Sequence, residues 1–192
     1  MTKAPAFTPI ADLQFTNLSL VIRQVQETEH RWFAQGDPKS PTLPWMPFQQ
    51  SAFLAMLYDC IPEMSGRKFL DVGCGPGTKM QLAKHVYGLD VSGLEISPEM
   101  ARAAGAVGTV TCVDALKAPR GTFSSYDLIW LYRPFRDSEL EWLLESRIMK
   151  EMKPGAILAG GAWEICPADH KWVTVVDDWE LRHGAWMKPQ TA

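Results

Sequence analysis

Three glycines alternate with single residues in Asp71-Val72-Gly73-Cys74-Gly75-Pro76-Gly77. That spacing strips Cβ atoms from a turn and lets a ligand lie against the backbone. The apolar run Lys68 to Val72 feeds the turn and a helical pattern follows from Thr78. Loop amides backed by a helix N-terminus favour a carboxylate or another anionic group. Acidic residues recur at the ends of the next apolar runs: Glu95 lies 18 residues after Gly77, and Asp114 lies 19 residues after Glu95. A carboxylate at the first position can accept both hydroxyls of a ribose. One at the second can accept an adenine amino proton. With Asp71, these acidic groups at three successive strand ends specify a nucleoside-bearing ligand more narrowly than the glycines do.

Positioning them requires a sheet with its strand ends aligned. The sequence predicts strands over Lys68 to Val72, Val91 to Ile96, Thr109 to Val113, Tyr126 to Leu131 and Ala156 to Gly160. Helices are predicted over Thr78 to Tyr87, Pro98 to Ala104 and Asp137 to Met152, the last with Leu140, Leu143, Leu144, Ile148 and Met149 on one face. Alternating β and α elements of this length mean a mostly parallel sheet with right-handed crossovers and helices on both faces, an α/β fold. Ahead of it, Leu18, Leu20, Val21, Val25 and Trp32 recur at helical intervals. A proline-rich connector then leads to a helix over Gln49 to Ile61. The chain therefore divides into an N-terminal helical and proline-rich extension, 1–48, and a ligand-binding domain, 49–192. The tail from Trp172 to Met187 is apolar enough for a terminal pair of strands. Its tryptophans, together with Trp163, suit either closure of the sheet edge or contact between copies of the chain.

A net charge of −3 over 192 residues gives no strong nucleic-acid signal. Cys60, Cys74, Cys112 and Cys166 show no metal-ligand spacing, and neither do His30, His85, His170 and His183, so no metal site is expected. No apolar run reaches the roughly 18 residues of a membrane span, and the opening residues lack a signal-peptide pattern. A cytoplasmic protein with reduced thiols is the expectation.

Over roughly residues 42 to 160 the chain resembles the class I, Rossmann-like S-adenosylmethionine-dependent methyltransferases. FLDVGCGPG is similar to that family's first motif, GLEIS to its second, VTCVDAL to its third and YDLIWLYRPF to its fourth; MKPGAILAGG resembles the junction that follows. The resemblance implies S-adenosylmethionine as cofactor. Gly73 and Gly75 would face its methionine part, with Cys74 and Gly77 in the same loop. Asp71 would orient the amino-acid end, Glu95 would meet the ribose, and Asp114 with Ala115 the adenine. A nicotinamide cofactor is the rival, but its loop runs GxGxxG, whereas this one is Gly73-x-Gly75-x-Gly77.

In that fold the loop after the fourth strand, Tyr132-Arg133-Pro134-Phe135, borders the methyl group and the acceptor. Relatives that methylate base amines carry an Asn or Asp where Arg133 stands, and Arg only donates. Arg133 suits an anionic acceptor, or else a surface pair with Asp137. Tyr132 and Arg133 are the candidate catalytic, substrate-facing residues. Trp45, Met46 and Phe48 suit a lid over the cofactor, or core filling. The expected activity is methyl transfer to a small-molecule or protein acceptor; the alternative is a regulatory or partner protein that binds S-adenosylmethionine or its demethylated product without transfer. The short spacings Asp114 to Tyr126 and 164–171 leave little room for crossover helices, so the N-terminal segment or a partner subunit would complete the acceptor site.

Overall fold

The computed structural model describes residues 12–32, 48–165, 167–178 and 183–190. Two helices come first, α1 (Asp12–Trp32) and α2 (Gln50–Cys60). The α/β part follows: β1 (Lys68–Val72), α3 (Thr78–Tyr87), β2 (Asp90–Glu95), α4 (Pro98–Ala104), β3 (Thr109–Cys112), β4 (Leu128–Tyr132), α5 (Ser138–Glu151), β5 (Ile157–Gly161), β6 (Val173–Asp178) and β7 (His183–Met187). The strands form one seven-stranded sheet in the order β3-β2-β1-β4-β5-β7-β6. The first five run parallel, and β7 lies antiparallel between β5 and β6. The Rossmann-like methyltransferase fold expected from the sequence is present, including the terminal strand pair.

Strand periodicity explains how the sheet buries both faces. Phe69, Leu128, Trp130, Ile157 and Ala159 point to one side, where Val25 of α1, Phe53, Met56 and Leu57 of α2, and Met80 and Ala83 of α3 cover them. Leu70, Val72, Ile129, Leu131 and Leu158 point to the other, against Leu144 and Ile148 of α5. Phe48 packs edge-on against Phe53 with ring centroids 5.3 Å apart, so it fills core. Trp45 and Met46 lie outside the described residues.

Two connections are short, as their spacing requires. Between β3 and β4 the chain forms only the 3-10 turns Ala115–Lys117 and Thr122–Ser125. One guanidinium organises this stretch: Arg147 of α5 donates to the carbonyls of Leu116 (2.9 Å), Ala118 (2.5 Å) and Pro119 (2.9 Å). Between β5 and β6 the described residues form the 3-10 turn Pro167–His170 and no longer helix. Trp172 and Trp186 belong to the core on that face, and Trp163 packs edge-on against Trp186 with centroids 5.5 Å apart. These three indoles cover the sheet face rather than its edge; Trp179 lies outside the described residues.

The face of α5 is rotated from the expected one. Glu141, Leu144, Glu145 and Ile148 are buried, whereas Leu143 is 48% exposed and Leu140 and Met149 are half-buried. The two glutamates, each 1% exposed, face inward to hold loops.

Candidate active site

The strand order reverses at β1, which has β2 on one side and β4 on the other. Ligands of open parallel sheets bind beyond the strand C-termini at such a switch point. Here it is flanked by the glycine loop after β1 and by the Tyr132–Phe135 loop after β4. The two loops are neighbours: a Cβ placed on Gly73 would come within 3.3 Å of Pro134 Cβ.

Gly73, Gly75 and Gly77 all have left-handed φ, at 74°, 54° and 85°. Gly77 is required twice over, because an added Cβ would also lie 2.9 Å from Ala104 Cβ. The Gly73 and Cys74 amides donate to the Leu94 carbonyl at 2.9 and 3.0 Å, tying the loop to β2. Cys74 is buried, and burial pushes its thiol pKa upward, away from nucleophilic behaviour.

Glu95 is buried at the end of β2. Its Oε2 accepts the Gly75 amide and its Oε1 the Ser97 amide, both at 2.8 Å. The anion favoured by the loop amide is thus already one of the protein's own carboxylates. Each oxygen retains a second acceptor position, so ribose hydroxyls can still donate to it. Asp114 caps the 3-10 turn that begins at Ala115: its Oδ1 accepts the Leu116 amide at 3.0 Å, and its Oδ2 lies 3.3 Å from Lys117 Nζ.

Asp71 alternates with Phe69 and therefore sits on the face covered by α1, α2 and α3. It is 1% exposed, and its Oδ2 has no hydrogen-bond partner. Burial raises its pKa to about 6; Lys79 opposes the rise and Glu95 adds to it. Thr78, at the start of α3, also buries a hydroxyl with no partner. Buried polar atoms without partners cost stability, and here they belong to residues at the two ends of the glycine turn, Asp71 and Thr78. A ligand that both donates and accepts hydrogen bonds fits this donor set.

On the other side of the switch point, Tyr132 is exposed at the end of β4 and Arg133 adopts φ 37°. Arg133 pairs with Glu164 at 3.7 Å. Asp137 does not serve as that partner; it caps α5, with Oδ1 accepting the amides of Glu139 (2.8 Å) and Leu140 (3.2 Å). The two buried glutamates of α5 pin the surrounding loops. Glu141 Oε2 accepts the Phe135 amide at 3.1 Å, and Glu145 accepts the amides of Glu164 and Ile165. Burial raises both pKa values, that of Glu141 to about 7. Sequence patterning missed both, because glutamates on an amphipathic helix read as solvated. Among the described residues, no cluster of His, Cys, Asp or Glu could hold a metal ion, and no helix is long and apolar enough to cross a membrane.

Residues 70–159 match the family described as a methyltransferase domain. The 2-methyl-6-phytyl-1,4-hydroquinone methyltransferase of Synechocystis sp. is 30% identical over 113 residues, which are 55% of this chain and 34% of that protein. The chain thus spans about a third of that relative's length. Among solved structures, an RNA methyltransferase from Salinibacter ruber in complex with S-adenosyl-L-homocysteine aligns with a TM-score of 0.58 at 16% identity, covering 77% of this chain and 96% of that one. A mutant of MtNAS aligns with a TM-score of 0.54 at 14% identity over 94% of this chain and 78% of that one. At these identities the structural matches carry the fold. Sheet order and the family match agree: residues 70–159 are similar to a methyltransferase domain, and they lie on a Rossmann-like methyltransferase fold.

Proposed function

We propose that this protein transfers a methyl group from S-adenosylmethionine to a small-molecule or protein acceptor. Gly73–Gly77 would hold the cofactor, with Glu95 taking the ribose, Asp114 and Ala115 the adenine, and Asp71 the amino-acid end. The observation that carries the reading is the closeness of Gly73 to Pro134, near enough that a Cβ on the glycine would crowd the proline, so the glycine loop and the loop after β4 are neighbours at the switch point.

When bound, S-adenosylmethionine would supply an electrophilic sulfonium methyl for the acceptor's lone pair, with its own sulfur left as a neutral thioether. The chain's own residues position and desolvate. Tyr132 meets the acceptor with its ring or hydroxyl. Arg133, a permanent cation, orients an anionic part of the acceptor and takes no proton from it. The relative that methylates a hydroquinone supplies a first acceptor class to assay: phenolic compounds, whose oxygen or ring carbon becomes nucleophilic on deprotonation.

Calorimetry with S-adenosylmethionine, S-adenosylhomocysteine and NAD tests the cofactor assignment. Heat with the first two and none with NAD is expected; the reverse would replace the reading. Methyl-labelled cofactor incubated with lysate fractions tests transfer. Label retained wholly on the cofactor would leave a binding protein rather than an enzyme.

A further inference from the structure

The parallel strands β4 and β5 end in register, with Tyr132 beside Gly161. Each chain then makes the same unusual move. Arg133 follows β4 with φ 37° and Ala162 follows β5 with φ 58°. Residues other than glycine hold such left-handed values where their surroundings impose them. Two residues further on, each loop is tied to α5. The Phe135 amide donates to Glu141 Oε2 at 3.1 Å. The Glu164 amide donates to Glu145 Oε1 at 3.0 Å, and the Ile165 amide to Glu145 Oε2 at 2.6 Å. The two glutamates stand four residues apart, on the same side of the helix. Burial disfavours charge on both, and Glu145 adds to this at Glu141, so the loop amides are what these inward carboxylates serve. The side chains of the two loops also meet. Arg133 Nη2 lies 3.7 Å from Glu164 Oε1, which accepts the Ser138 hydroxyl at 2.8 Å. Arg133 is the cation that opposes burial at both glutamates.

We infer that Glu141 and Glu145 are positioning residues for methyl transfer: they join the loops after β4 and β5 into one body, clasped by Arg133 and Glu164, that presents Tyr132 and Arg133 to the acceptor. This rests on the methyl-transfer reading above. Both glutamates act through backbone amides, so their influence travels by way of the loops. The links form a ring, from Glu141 through the Phe135 loop and the Arg133 side chain to Glu164, Glu145 and back along α5. Loosening one loop therefore loosens the other, and cutting the Arg133–Glu164 clasp makes them independent.

Amide hydrogen exchange and NMR on the full chain test the ring. Glu145→Gln should lower protection of the Ile165 amide about tenfold and of the Phe135 amide about threefold, the scale a partly exposed ion pair can transmit. In an Arg133→Ala background the Phe135 effect should vanish while the Ile165 effect remains. The Phe135 amide shift should titrate with Glu141 at about pH 7, a midpoint that Glu145 and Glu164 raise and Arg133 lowers, and Glu141→Gln should remove that titration. Both glutamine variants should slow transfer of labelled methyl into lysate fractions about threefold or more, the same ion-pair scale, with S-adenosylhomocysteine affinity within about twofold. If Glu145→Gln does not fold, Glu164→Gln replaces it, and should loosen the Phe135 amide while Ile165 stays protected. A Phe135 amide indifferent to these changes, or an effect that survives Arg133→Ala, would overturn the two-loop body. Transfer at the wild-type rate, or lost together with S-adenosylhomocysteine affinity, would overturn the positioning role. A wild-type chain that transfers no label would overturn the methyl-transfer reading instead, while the exchange results still judge the loops.

Discussion

The Glu95 carboxylate accepts the Gly75 amide at 2.8 Å, so the end of β2 and the loop after β1 form one hydrogen-bonded unit. The carboxylate proposed to meet the ribose thereby also sets the shape of the loop beside it. Glu95→Ala should weaken S-adenosylmethionine binding by roughly 1–3 kcal/mol through loss of charge-assisted bonds. Calorimetry measures this directly; unchanged affinity would reduce Glu95 to a loop anchor.

Gly75 has φ 54°, where a branched side chain is strained. Gly75→Val should abolish cofactor binding by occupying the ligand's approach, while the melting temperature falls only a few degrees. Retained binding in the folded variant would show that the cofactor does not lie against this loop.

Burial raises the Glu141 pKa from the ordinary 4.5 to about 7, which predicts a signed pH dependence. The folded chain holds this proton more tightly than the unfolded one. The stability it contributes is complete below about pH 4.5 and is lost as pH rises through about 7. Glu141→Gln should flatten that part of the Tm–pH profile, with a difference of about 2–4 °C for each kcal/mol recovered. Identical profiles in the two proteins would contradict the assignment.

Arg147 satisfies the carbonyls of the β3–β4 connector, which includes Asp114 and Ala115. Arg147→Ala should destabilise the fold by roughly 2–3 kcal/mol and also weaken nucleoside affinity. Denaturation paired with methylthioadenosine titration separates these effects. Lost stability with full affinity would mean that the adenine contacts lie elsewhere.

Arg133 and Glu164 form a partly exposed pair, so the pair itself adds little to stability. Arg133→Ala should leave Tm and cofactor affinity nearly unchanged but raise KM for an anionic acceptor. Unchanged KM with such an acceptor would remove Arg133 from acceptor binding.

The sequence reads most accurately where backbone punctuation is strong. The bounds of α3 match because Gly77 and Gly88 are left-handed at its two ends, and α4 starts where Ser97 caps and Pro98 opens the first turn. The start of β4 moves from Tyr126 to Leu128 because the 3-10 turn runs through Ser125 and a short link separates it from the strand. Within the site, the glycine loop and Glu95 are legible because their spacing is local. Glu141 and Glu145 are not: each sits on a helix as an ordinary charged residue and becomes special only when a distant segment covers it. Leu143 misled in the opposite direction, since hydrophobic periodicity cannot tell which of two adjacent leucines turns inward.

The last strand in chain order is an inner strand of the sheet. Until β7 is available, β6 has no partner and β5 has an open edge. Just beyond β7, Lys188 Nζ caps α5 by donating to the carbonyls of Met149 (2.7 Å), Lys150 (3.1 Å) and Met152 (2.7 Å). During synthesis, the β4–β5 half of the molecule must wait for residues 183–188 to clear the ribosome, whereas the glycine-loop half has its strands earlier. Order of synthesis therefore separates the two sides of the sheet: the strands β1, β2 and β3 under the glycine loop are all made well before β7, whereas β5 gains its second neighbour only after residues 183–187 have been made.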